Sequence, residues 1–241
     1  MFLLKNQFLS LLLNLEKYMK EIVVFDLDGT LLSGDSTKAW LTDKLKSNLL
    51  RFIAAIIVSP IALPLMKFKK YKSRGASLYL WIATYGVNEE ELEYSFKNFS
   101  NNIKDNTSDS LYLFEQGITE VKDHLVSGRI VFIATAAPER LANVLLGSIN
   151  LDVQIIGTPL QKKLGGWISG IHCRSEEKVR RLNKLNVNQP WFATYSDDIE
   201  DDLPILMGAK LPYLINGDNN KIKNMRIKNL KILNWVLKLE H

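Results

Sequence analysis

The sequence predicts an α/β fold: a doubly wound parallel sheet with a helical cap inserted after the first strand. Three observations predict it. Continuous apolar, β-branched runs recur along the chain and end in polar residues. Segments at helical spacing separate those runs. Between Asp35 and about Gly117 the alternation stops, and the segments there are helical. At 241 residues and 46% hydrophobic, the chain is long enough for one full core and a smaller appended unit.

The first strand is the run Ile22–Leu27, apolar on both faces until Asp26 interrupts it. The second is Arg129–Thr135, the third Val153–Pro159, the fourth Gln189–Asp198 and the fifth Leu211–Asn216. Helices are predicted over Gly117–Gly128, Ala137–Ile149 and Ser175–Asn186, between these strands. Lys162–Gly170 reads as a small hairpin turned by Gly165 and Gly166. In the insertion, Ser36–Ile56, Gly75–Gly86 and Asn88–Ile103 carry helical spacing. Residues 19–35 and 118–241 are therefore expected to form the core and residues 36–117 the cap. Residues 1–18 are expected to be an extension, with neither the basic start nor the small-residue cleavage site of a secretory signal.

Composition excludes several classes. One cysteine, Cys173, cannot close an internal disulfide, and one Cys with three His gives no zinc-type cluster. The net charge of +5 suits an anionic partner. It is concentrated in "KFKKYKSR", where Lys67, Lys69, Lys70, Lys72 and Arg74 fall within eight residues, and in the basic segment that closes the chain. The first cluster follows an eighteen-residue apolar stretch, Leu49–Met66. As one helix it would reach roughly 27 Å, nearly a bilayer core. A single crossing would separate Asp26 from everything after Lys67, and Pro60 and Pro64 stand in its middle. The expectation is a Pro-broken hairpin, residues 49–66, that dips into the membrane interface beside cations attracted to anionic headgroups.

The chemistry is expected at the carboxyl ends of the strands, where ligands bind in doubly wound sheets. Asp26, Asp28, Thr135 and Asp197 fall at such ends, and Lys178 lies on the helix before the fourth strand. Clustered carboxylates repel, and a hard oxygen-binding ion such as Mg²⁺ that also binds phosphate oxygens answers this. One aspartate can then attack phosphorus, while the other protonates the leaving oxygen and later deprotonates water. A hydroxyl and an ammonium suit the positioning and charge neutralisation of phosphoryl transfer.

"DLDGTL", "VFIATAAPE", "EEKVRRL" and "YSDDIEDDLPIL" resemble, in order, the four motifs of the haloacid dehalogenase superfamily, whose core is a Rossmann-like sheet. The insertion between the first and second motifs resembles the subclass that contains phosphoserine phosphatase. From about Lys20 to Met207, including "SPIALPLMKFKKYKSRGASLYLWIATYGVNEEEL" and "QKKLGGWISGIHCRSEEKVRRL", the chain is similar to the phosphatidylglycerophosphatase C family of membrane-associated bacterial phosphatases.

The resemblance implies that Asp26 is the nucleophile and Asp28 the acid/base. It implies that Asp26, the Asp28 carbonyl and Asp197 hold Mg²⁺, and that Thr135 and Lys178 grip the phosphoryl oxygens. The fourth motif departs from the pattern: Ser196 stands where many relatives have Gly, Asp198 where many have Ser, and one extra residue leaves two outer-shell candidates. Asp202 is favoured by the "DLP" that follows it, Asp201 by spacing. Ala137 replaces a frequent serine.

Asp35 reads as the N-cap of the first cap helix, His124 as a surface residue, and His172 and Cys173 as hairpin and packing residues. The implied substrate is phosphatidylglycerol phosphate, acted on at the cytoplasmic side of the inner membrane, with no nucleic-acid partner. A soluble phosphatase of the phosphoserine type and a membrane-bound interaction module with a decayed site are the alternatives.

Overall fold

The computed structural model describes residues 21–68, 71–108, 110–222 and 225–236, the side chains of residues 72, 219 and 220 excepted. The predicted extension and the cations Lys69 and Lys70 lie outside these residues. A six-stranded sheet organises the chain. Its strands are β1 (Ile22–Phe25), β2 (Ile130–Pro138), β3 (Gln154–Thr158), β6 (Trp191–Ser196), β7 (Ala209–Ile215) and β8 (Lys231–Leu233), in the order β3–β2–β1–β6–β7–β8. Neighbours run parallel throughout. Between them, β4 (Leu160–Lys163) and β5 (Gly166–Ser169) form the separate antiparallel hairpin the glycines predict.

β1 is central because its sequence suits burial on both faces. Val23 and Phe25 point into one core cluster and Val24 into another, the period of two expected of a strand. Phe25 pairs with Ile133 on β2 and Tyr195 on β6, and its ring stacks on Tyr195 at 4.2 Å. Fully burying such a side chain contributes about 1.5–3 kcal/mol. The ladder continues one residue further, where the Asp26 N–H donates to the Tyr195 carbonyl at 2.9 Å. The strand end that carries Asp26 is thus held in register with its neighbours.

Four helices fill the insertion: α1 (Ser36–Lys46), α2 (Leu49–Lys67), α3 (Lys72–Thr84) and α4 (Glu89–Lys104). The core helices follow as α5 (Glu115–Val126), α6 (Glu139–Ser148), α7 (Glu176–Lys184), α8 (Leu203–Met207) and α9 (Asn219–Ile222). Arg140 on α6 ties the two groups together through ion pairs to Glu93 and Glu89 on α4, at 2.5 and 2.8 Å. α4 starts with a capping box in which Asn88 and Glu91 satisfy each other's backbone amides.

The expectation of a Pro-broken hairpin over 49–66 is corrected. α2 is one helix of 19 residues with Pro60 and Pro64 inside it. The hairpin is made instead by α2 and α3, which run antiparallel: Tyr79 donates to Ser59 Oγ at 2.9 Å, and Arg51 donates to the Tyr85 carbonyl at 3.2 Å. Two facts let the prolines stay. Both lie on the exposed face, as do Ile56 and Pro60, whose carbonyls lose their amide partners, so no acceptor is enclosed without one. On the opposite face, Gly75 lets α3 approach closely, since any side chain there would strike Met66 and the Ala62 carbonyl.

The stretch Ser36–Ile56, which carries helical spacing throughout, is divided between two helices. Ser47 closes α1, and Asn48 in extended backbone caps α2 through its side chain, accepting from the Arg51 N–H at 3.1 Å.

Candidate active site

The candidate site is a cleft of about 290 Å³ at the carboxyl edge of the sheet. Every predicted central residue reaches it: Asp26, Asp28, Thr135, Lys178, Asp197, Asp201 and Asp202 all line it. Three strand ends do the positioning. Asp26 follows β1, Thr135 lies on β2, and Asp197 follows β6.

Lys178, on the first turns of α7, is 3% exposed and sits between two carboxylates. Its ammonium donates to Asp26 Oδ1 at 2.6 Å and lies 2.8 Å from Asp202 Oδ1. Burial disfavours the ammonium, but Asp202 and Asp26 outweigh that and hold it above the ordinary lysine range. Asp202 is itself buried and accepts from the Ser196 hydroxyl at 2.7 Å. Asp201 turns outward and pairs with Arg174 at the rim. The two candidates for the outer metal shell thus have different partners: Asp202 faces the buried lysine and Asp201 the rim arginine.

Asp197 is placed by the loop after β1. Gly29 has φ +80°, and a Cβ there would collide with the Asp197 carboxylate. Thr30 exchanges hydrogen bonds with Asp197, accepting from its N–H at 3.0 Å and donating to Oδ1 at 3.3 Å. Asp28 accepts from the Ser36 N–H, at the start of α1, at 3.0 Å. Asp35 caps the same helix, accepting from the Lys38 N–H at 2.7 Å as its sequence predicts, while lining the cleft. The Thr135 hydroxyl accepts from the Ala137 N–H at 3.0 Å, which leaves its proton free to donate into the cleft.

Burial pushes the carboxyls upward. For Asp26 it outweighs the opposing Lys178, with Asp202 and Asp197 adding to the rise. Burial and then Asp35 raise Asp28 to about 7, and burial with Asp202 and Asp198 raises Asp197 to about 6. Seven aspartates and two cations line this one cleft. Among the described residues no group of three or more carboxylates is arranged as a metal cluster; the excess of oxygen donors in the cleft is of the kind that suits a hard divalent cation. An anionic substrate would be repelled by the same surface without one.

Sequence reasoning missed Thr30, Ser36 and Arg174. The hydroxyl and amide contacts depend on loop geometry, and Arg174 is one cation in a basic stretch with no spacing to distinguish it.

A model of haloacid dehalogenase-like hydrolases matches residues 23–207. The chain belongs to the haloacid dehalogenase-like hydrolase family. As in the family description, it is a hydrolase, and solved structures share its fold. A protein of unknown function from Bordetella pertussis Tohama I superposes with a TM-score of 0.66 at 18% identity, covering 89% of this chain and 98% of that one. A substrate-bound phosphoserine phosphatase gives 0.53 at 13% identity over 85% of this chain and 90% of its own. A phospho-aspartyl intermediate analogue of phosphoserine phosphatase gives 0.54 at 14%, over 88% and 92%. At these identities the likeness to this haloacid dehalogenase-like hydrolase is one of fold.

The cation cluster expected to meet headgroups divides. Lys67, at the end of α2, and Arg74, on α3, are exposed, with Arg74 over the Tyr71 ring at 5.6 Å. Lys72 begins α3. Neither Lys67 nor Arg74 lines the cleft.

Proposed function

We propose that the protein is a Mg²⁺-dependent phosphomonoesterase working through an aspartyl-phosphate, with phosphatidylglycerol phosphate at a membrane surface as its substrate. The observation that carries the chemistry is the buried Asp26–Lys178–Asp202 arrangement in the carboxylate-rich cleft. Lys178 occupies Asp26 Oδ1, which leaves Oδ2 to attack phosphorus. Asp28 protonates the leaving oxygen and then takes a proton from the attacking water; a carboxyl raised to about 7 suits both steps near neutral pH. Thr135 and Lys178 donate to the phosphoryl oxygens, and Asp202 with Ser196 fixes the lysine. Asp26, Asp197 and the Asp28 carbonyl would hold the metal, which would neutralise charge between carboxylates and phosphate.

The lipid substrate is supported by α2. An 18-residue window of it has a mean hydropathy of 2.2, yet only 11% of that window is buried. Leu49, Leu50, Ile56, Ile57, Ile61 and Leu63 are 53–78% exposed, a contiguous apolar face beyond what a soluble surface usually carries. Lys67 and Arg74 flank it. A helix exposed along its length and paired with α3 on the other side can lie in an interface without carrying the later strands across the bilayer.

The deciding experiment measures phosphate release with Mg²⁺ from phosphatidylglycerol phosphate in mixed micelles, phosphoserine and an aryl phosphate. Preference for the lipid is expected, and Asp26→Asn should abolish release from all three. Better turnover of the soluble esters would refute the lipid assignment; hydrolysis by the Asn variant would refute the covalent mechanism.

A further inference from the structure

Lys178 has limited capacity to neutralise an arriving phosphate. Its ammonium has three N–H donors, and Asp26 and Asp202 already engage it at 2.6 and 2.8 Å. Among the described residues, the other cation lining the cleft is Arg174. Its ion-pair partner is Asp201, on the rim, and its side chain keeps 32% of its surface exposed. A guanidinium carries five N–H donors in a planar fork, so pairing with one carboxylate leaves donors to spare.

The backbone holds Arg174 in place on this wall. Ser175, the next residue, has φ 47° and ψ −127°, a region that L residues rarely adopt. The turn around it is closed on both sides: the Arg174 N–H donates to the His172 carbonyl at 3.0 Å, and the Arg174 carbonyl accepts from the Glu177 N–H at 2.9 Å. The chain therefore turns sharply between Arg174 and α7 instead of extending the helix.

We propose that Arg174 is a second phosphate-binding residue of this cleft, donating to non-bridging phosphoryl oxygens, with Asp201 as the positioning residue that orients it from the rim. The proposal rests on the phosphatase reading. It also gives Asp201 a task distinct from that of Asp202. Because the Asp201 charge offsets that of the guanidinium, and an amide oxygen at that position still accepts from it, Asp201→Asn and Arg174→Ala act in opposite directions on phosphate affinity.

The test uses the full-length protein with Mg²⁺, measuring inhibition by inorganic phosphate, KM for an aryl phosphate, and thermal stability. Arg174→Ala is expected to raise both the phosphate inhibition constant and KM by roughly tenfold to a hundredfold, the scale of one or two charge-assisted hydrogen bonds. Arg174→Lys recovers part of the loss, and Asp201→Asn tightens phosphate. The proposal is overturned if the Ala and Asn variants lose thermal stability together while phosphate inhibition stays unchanged, which is the behaviour of a loop tie. It is also overturned if Arg174→Ala affects only substrates with large leaving groups. Wild-type protein that hydrolyses no phosphomonoester refutes the underlying reading instead. Should the Ala variant not fold, the Lys and Asn variants carry the same opposite-sign comparison.

Discussion

Replacing Lys178 by methionine isolates the energetics of the site. The ammonium is 3% exposed and bonded to two carboxylates that are themselves buried, Asp26 at 7% and Asp202 at 3% exposure. Methionine fills a similar volume but leaves both carboxylates without their cation. Breaking a buried ion pair from one side costs about 3–5 kcal/mol. At about 2–4 °C per kcal/mol for a chain of this size, the midpoint should fall by about 6–20 °C. The loss depends on pH in a definite direction. Burial already raises Asp26, and Lys178 opposes that rise, so removing the lysine raises the folded-state value further. A carboxyl raised above its unfolded value contributes stability that is present at low pH and lost as pH rises through the folded value. The deficit against wild type should therefore be larger at pH 8 than at pH 5. Adding Asp202→Asn should recover part of it at pH 8, since the amide oxygen can still accept from Ser196. Urea unfolding of the three proteins at both pH values, with EDTA present, measures this. A loss below about 1 kcal/mol at pH 8, or an equal loss at both pH values, would refute the reasoning.

Gly29→Ala should be damaging out of proportion to its one methyl, because φ +80° is strained for alanine and its Cβ meets the Asp197 carboxylate. A loss of about 1–3 kcal/mol is expected in denaturant unfolding together with weaker Mg²⁺ binding by calorimetry; unchanged metal affinity would mean Asp197 is no ligand. Making Ile56, Ile57 and Leu63 polar should abolish co-sedimentation with anionic vesicles while leaving aryl-phosphate turnover intact, since all three side chains are exposed and none lines the cleft. Cys173 is fully buried and its thiol is pushed up to about 11 by burial. It should resist alkylation at pH 8 in the folded protein and react once unfolded, and stability should decline as pH rises from about 9 toward 11; prompt labelling of native protein would contradict this packing.

The sheet was legible because strands buried on both faces leave a continuous apolar signature: the runs predicted at Ile22–Leu27, Arg129–Thr135 and Val153–Pro159 meet β1, β2 and β3 within a few residues. The site was legible for a related reason, since a strand that ends in "DLD" must deliver its carboxylates to the sheet edge where the other strand ends converge. Local sequence read less well where long-range packing decides. His124, expected at the surface, is buried at 6% exposure because its ring meets the Tyr195 hydroxyl at 3.0 Å, a partner 71 residues away. Pro60 and Pro64 argue locally for a break, yet α3 supports α2 along its inner face and the helix continues. Which of Asp201 and Asp202 faces Lys178, and the cleft position of Arg174, depend on turns that spacing does not encode. The sequence alone thus determined five of the six strands of the sheet and which of their ends carry the carboxylates, since periodicity and strand-end chemistry are local. Tertiary structure decided the partners of each charge and the continuity of α2, because those free energies come from residues distant in the chain.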